Sequence, residues 1–136
     1  MAGALYLDTS AILRAAVESG TTPDVEQRIR DARILITSRL AQVETARAFL
    51  RLRQRGEISE ARLADAERAV QGLWTRCEIW ELSQSVCELA QHIAPAKPLR
   101  ALDALHLATF VLARRRIEAL ELLTVDERLR DAAGVG

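Results

Sequence analysis

Lysine is almost absent from this 136-residue chain: 18 of its 19 basic residues are arginine, and Lys97 is the only lysine. Any mechanism that needs a catalytic or phosphate-binding lysine must use that one residue. Cysteine is scarce too. Cys77 and Cys87 stand ten positions apart with no second pair, which fits neither a disulfide framework nor a zinc ribbon and suits a reducing compartment. The five aromatic side chains, Tyr6, Phe49, Trp74, Trp80 and Phe110, offer no evident platform for stacking the bases of an extended single strand. No apolar run approaches the ~18 residues of a membrane span, and the N-terminus lacks the basic-then-apolar order of a secretion signal. A soluble, cytoplasmic protein is expected. Net charge is also missing: 19 acidic residues balance 19 basic ones, so any nucleic-acid or membrane partner has to be read locally.

What is present is a core-forming composition, 49% hydrophobic, enough for one domain spanning residues 1–136. Short apolar runs alternate with helical stretches. Ala4 to Leu7 reads as a strand ended by Asp-Thr-Ser, and Ala11 to Val17 continues with helical composition. A short helix is predicted at Asp24 to Arg30 and a second strand at "RILIT", Arg33 to Thr37. A helix from Ser38 to Arg55 should place Leu40, Val43, Ala46, Phe49 and Leu50 on an apolar face and stop at Gly56. Another should run from Ser59 to Trp74, with Ile58 and Leu63 as a hydrophobic staple. "CEIWEL", Cys77 to Leu82, alternates as a half-exposed strand does, and Ser83 opens a helix reaching Ala90 to Ile93. After Pro95 and Pro98, Arg100 to Arg116 is a central helix with three arginines at its negative end. Ala119 to Thr124 is the last strand, followed by a helix from Asp126 to Ala133. This alternation predicts a three-layer α/β/α domain with a central, mainly parallel sheet.

Against that pattern, four acids stand among apolar neighbours. Asp8 ends the first strand, Asp126 follows the last, Glu44 lies in "LAQVETA", and Asp103 lies in "RALDALHLA". Open α/β sheets bind ligands at the carboxyl ends of their strands, and all four residues could reach one such crevice. Carboxylates that close need a compensating cation, and hard oxygen ligands without histidine or thiolate select magnesium or manganese. Such an ion suits phosphodiester cleavage. Taken singly, each acid also has a plain structural reading. Asp8 and Asp126 can be helix N-caps, Glu44 can pair with Arg47, and Asp103 with Arg100 can favour a helix dipole. Those readings leave the shared apolar flanks and the shared sheet edge unexplained.

"LYLDTSAIL", Glu44 in the helix after the second strand, "LRALDALHLATF" and the late "LLTVDERL" together resemble the PIN-domain ribonucleases, in particular the VapC toxins of bacterial type II toxin–antitoxin systems. The resemblance covers nearly the whole chain. It implies a PIN-like α/β/α domain with Mg²⁺- or Mn²⁺-dependent endoribonuclease activity, a small antitoxin as partner, and a homodimer. Residue by residue, the family's four acids fall on Asp8, Glu44, Asp103 and Asp126. Asp8 and Asp103 are the implied direct metal ligands, with Glu44 and Asp126 acting directly or through water. Thr9, Ser10 and Thr124 are the accompanying hydroxyl residues.

Arg14, Arg39, Arg47, Arg51 and Arg100 flank the crevice in sequence and are candidates for phosphate contacts, which would reconcile RNA binding with zero net charge. His106, three residues after Asp103, reads as a packing histidine and is left out of the site. Leu50, Leu52, Leu63, Val70 and Leu73 offer apolar surface for a docked helix or second copy, or for simple packing of two helices. Two other functions are consistent with the chain: a housekeeping RNA-processing nuclease of the same family, and a receiver-like phosphoacceptor module. The latter wants paired acids after its first strand and a lysine after its last. Here Asp8 stands alone and Lys97 precedes the central helix.

Overall fold

A computed structural model describes residues 3–134. Its four strands are β1 (Ala4–Leu7), β2 (Ile34–Ser38), β3 (Cys77–Trp80) and β4 (Glu121–Leu123). Every pairing is parallel, in the order β3-β2-β1-β4. The helices are α1 (Thr9–Val17), α2 (Pro23–Asp31), α3 (Arg39–Arg55), α4 (Glu60–Arg76), α5 (Gln84–His92), α6 (Ala101–Arg116) and α7 (Glu127–Ala132). Parallel neighbours demand crossovers, so helices cover both faces.

Side-chain alternation along the strands splits the core in two. Leu5, Leu7 and Leu35 pack with α1 to α4 through Ala11, Ile12, Ile29, Phe49, Leu63 and Val70. Ala4, Tyr6 and Ile36 face the other way and pack with Leu107 and Phe110 of α6 and Leu129 of α7. β1 is therefore buried on both sides, which is why "ALYL" carries no polar residue until the chain leaves the sheet.

The element boundaries follow local chemistry. Ser38, Ser59 and Ser83 accept hydrogen bonds from the amides of Leu40, Arg62 and Val86 and so start α3, α4 and α5. Gly56 ends α3 at φ 67°, where a side chain would be strained. Helix α4 runs two residues past the predicted end and passes directly into β3, an edge strand whose residues are mostly half-buried.

The predicted apolar face of α3 is corrected. Leu40 and Phe49 are buried, but Val43 is 56% and Leu50 48% exposed, and Ala46 is exposed too. The buried side is Leu40, Ala41, Thr45, Ala48 and Phe49. Small residues carry much of the contact there, and the predicted face, drawn through Val43, Ala46 and Leu50, is rotated away from it. The surface expected for a docked partner shrinks accordingly: Leu63 and Val70 are core, and Leu52 and Leu73 pack against it. Among the described residues, no helix is long and apolar enough to cross a membrane.

Candidate active site at the carboxyl ends of the strands

Asp8 leaves β1 and caps α1, its Oδ1 accepting the Ala11 amide at 3.0 Å. The carboxylate is only 4% exposed. Two hydroxyls complete its shell: Ser10 donates to both oxygens at 2.8 and 2.9 Å, and Thr124 donates to Oδ2 at 2.6 Å. Burial raises the Asp8 carboxyl above its ordinary value, opposed by the bonds from Thr124, Ala11 and Ser10 and by His106 nearby.

Thr124 follows β4 and serves two acids. Besides donating to Asp8, its Oγ1 accepts the Asp126 amide at 2.9 Å. Asp126 in turn caps α7 by accepting the Arg128 amide at 2.9 Å. The Thr-x-Asp spacing thus has a local cause, since one hydroxyl couples the first acid to the last. Arg130 donates to the Thr124 carbonyl at 2.6 Å and ties α7 to the same strand end.

Glu44 points from α3 toward α1 and α6. Its Oε1 accepts Thr9 Oγ1 at 2.6 Å and lies 2.7 Å from His106 Nε2. On the far side of the ring, His106 Nδ1 is 2.8 Å from the Tyr6 hydroxyl. Burial alone would raise the Glu44 carboxyl. The bonds from His106 and Thr9 and the attraction of His106 outweigh it, so this carboxyl titrates below its usual range. His106 is 3% exposed, as a packing histidine would be, yet both its nitrogens face partners at the site. Its partners Tyr6 and Glu44 lie 100 and 62 positions away, and no local spacing announces such pairs.

Asp103 sits in the first turn of α6. Its nearest cationic partner is Arg100, at 3.8 Å, itself 78% exposed. Burial raises the Asp103 carboxyl and the charge of Asp126 raises it further. Arg100 and His106 oppose this, and Glu44 adds to the rise. The charges of Asp126, Glu44 and His106 thus all act on Asp103.

Ser10 and Thr124 bond Asp8, and Thr124 also accepts the Asp126 amide, whereas Thr9, next to Asp8 in sequence, bonds Glu44 instead. The arginines divide. Arg100 lies beside Asp103, and Arg39 at the start of α3 pairs with Glu81 just past β3. Arg14 is held by Glu18 and Thr22 at the far end of α1, while Arg47 and Arg51 are exposed along α3. Among the described residues, no three His, Cys, Asp or Glu side chains are grouped so as to hold a metal ion. Asp8 and Glu44 Oε1 are instead turned toward protein donors.

The family model described as PIN domain matches residues 5–135. Ribonuclease VapC46 of Mycobacterium tuberculosis is 33% identical over 130 residues, covering 96% of this chain and 90% of that protein. Ribonuclease VapC47 of the same species is 32% identical over 129 residues, with 92% and 86% covered. The crystal structure of PAE2754 from Pyrobaculum aerophilum superposes with a TM-score of 0.66 at 19% identity, over 100% of this chain and 83% of that one. At that identity the likeness shows the fold.

Proposed function

This chain belongs to the PIN domain family, and from that premise we propose that it is a Mg²⁺- or Mn²⁺-dependent endoribonuclease, the toxin of a toxin–antitoxin pair. Relatives at about a third identity over nearly the full chain bear the name ribonuclease. The observation that carries the reading is the bonding of Asp8 and of the Asp126 amide by one hydroxyl, Thr124, at the carboxyl end of β4, with Asp103 at the start of α6 repelled by Asp126 and Glu44 and attracted by Arg100 and His106. A cation there would relieve that repulsion. The donor chemistry fits a hard ion, since the four acids bring carboxylate oxygen and no thiolate.

Asp8 and Asp103 would hold the ion, with Glu44 and Asp126 acting directly or through water. Such an ion lowers the pKa of a bound water and neutralises charge developing on the phosphate. The chain's own contribution is orientation. Ser10 and Thr124 fix Asp8, and Thr124 fixes the start of α7. Arg100 and Arg39 would meet RNA phosphates. An antitoxin and a second copy of the chain are the partners proposed, and Val43 and Leu50 on α3 give them exposed apolar surface.

The test is cleavage of total cellular RNA by the wild type, Asp8→Asn and Asp103→Asn, with Mn²⁺ and with chelator. Each variant removes a ligand charge with little change of shape. We expect a loss of about a hundredfold or more while folding survives. Wild-type cleavage by either variant, or full activity in chelator, would sink the metal-site reading.

A further inference from the structure

We propose that His106 is a positioning residue for Glu44: held at Nδ1 by the Tyr6 hydroxyl, it bonds Oε1 through Nε2 and leaves Oε2 as the oxygen turned to the crevice. The inference rests on the metal-site reading above and goes beyond it, because His106 would touch neither metal nor RNA.

The geometry starts from a long side chain. Glu44 has three rotatable bonds, and its carboxylate is one-quarter exposed, so without restraint it would sample several rotamers. Two donors from different elements converge on one oxygen, Thr9 of α1 at 2.6 Å and His106 of α6 at 2.7 Å. Among the described residues, no hydrogen bond engages Oε2. A carboxylate only accepts, so Nε2 carries the hydrogen. In the neutral ring Nδ1 then accepts from the Tyr6 hydroxyl at 2.8 Å.

Tyr6 cannot swing away. It is fully buried in β1, meets His106 edge-on with ring centroids 6.0 Å apart, and packs on Phe110. Sheet, α6, α3 and α1 are thereby joined in one line that ends on a single carboxylate oxygen. For packing alone, Phe at position 6 and Leu at 106 would fill the same space without burying a hydroxyl and a ring nitrogen. Their polar atoms find a common use at Glu44.

The test compares the full chain with Glu44→Gln, His106→Leu, His106→Gln, Tyr6→Phe and the double variant Glu44→Gln/His106→Leu. The readouts are kcat and KM on a cleavable RNA and the Mn²⁺ concentration at half-maximal thermal stabilisation. His106→Leu is expected to lose about ten- to a hundredfold in kcat, with KM little changed and the Mn²⁺ midpoint raised. His106→Gln keeps an N–H to donate to Oε1 and should recover most of both. In the Glu44→Gln background the same His106→Leu change should cost no more than about twofold, because the group it positions is gone. A His106→Leu penalty that is equally large in both backgrounds overturns the proposal, as do wild-type kcat and Mn²⁺ midpoint in His106→Leu. Should His106→Leu fail to fold, Tyr6→Phe decides: a fall in kcat and a weaker Mn²⁺ midpoint support the proposal, and wild-type values overturn it. Glu44→Gln with wild-type cleavage and Mn²⁺ response would instead remove Glu44 from the site, a different failure that takes the metal-site reading down first.

Discussion

Asp8 and Asp103 stand at the starts of helices on the same edge of the sheet, and burial raises both carboxyls. There the likeness ends. Asp8 is 4% exposed and receives an amide and two hydroxyls, whereas Asp103 has only Arg100 at 3.8 Å and is repelled by Asp126 and Glu44. The first carboxylate joins β1, α1 and the turn after β4 into one structure and also belongs to the proposed chemistry. The second contributes nothing comparable to the fold. The difference is therefore one of bonding: Asp8 is compensated by three short hydrogen bonds, Asp103 by one long contact with an exposed arginine and by the more distant charge of His106.

The largest effect that could break this comparison is on stability. Asp8→Ala removes the α1 cap and orphans the hydroxyls of Ser10 and Thr124, so it should destabilise by about 2–4 kcal/mol. Asp103→Ala relieves repulsion and should change stability by less than about 1 kcal/mol, in the stabilising direction. Urea unfolding of both variants measures this. Equal losses would erase the distinction between the two acids.

That distinction was only half legible in the sequence. The four acids stood out by their apolar flanks and by Asp8 and Asp126 closing strands, while the hydroxyl residues Thr9, Ser10 and Thr124 came from the family resemblance, which did not foresee that Thr9 bonds Glu44. The starts of α3, α4 and α5 at Ser38, Ser59 and Ser83 were legible as local caps. Three-dimensional partnership was not. That Asp8 is bonded by Thr124, 116 positions away, and Glu44 by His106, 62 positions away, could not be read from spacing. The buried side of α3 was misread because Ala41, Thr45 and Ala48 carry it, and small residues leave a faint periodic signal.

A smaller effect separates two buried threonines. Thr124 Oγ1 donates to Asp8 and accepts from the Asp126 amide, while Thr45 Oγ1 is buried with no hydrogen-bond partner among the described residues. Thr124→Val should cost about 1–3 kcal/mol, since it strips a charge-assisted bond and orphans an amide. Thr45→Val removes an unpaired hydroxyl at nearly the same shape and should raise stability by about 1 kcal/mol. Thermal melting of the pair checks both signs, and a destabilised Thr45→Val would mean that its hydroxyl serves the α3 packing after all.

The smallest effect is a pH slope, and it sharpens the comparison by extending it to Glu44. The folded-state pKa of Asp8 is raised above its ordinary 3.8, so the folded chain takes up that proton more readily than the unfolded one. Its contribution to stability is complete below the ordinary value and is lost as pH rises through the raised one. Glu44 is lowered below its ordinary 4.5. Its contribution is complete above that value and is lost as pH falls through the lowered one. The neutral isosteres delete these dependences in opposite senses. From the ordinary aspartate value upward, Asp8→Asn should gain on the wild type as pH increases. Below the ordinary glutamate value, Glu44→Gln should lose ground to the wild type as pH increases. The sign of the change in Tm difference across each window is the expected outcome. Melting curves in metal-free buffers through the acid range give both slopes. Slopes of the same sign would show that His106 and Thr9 do not outweigh burial at Glu44.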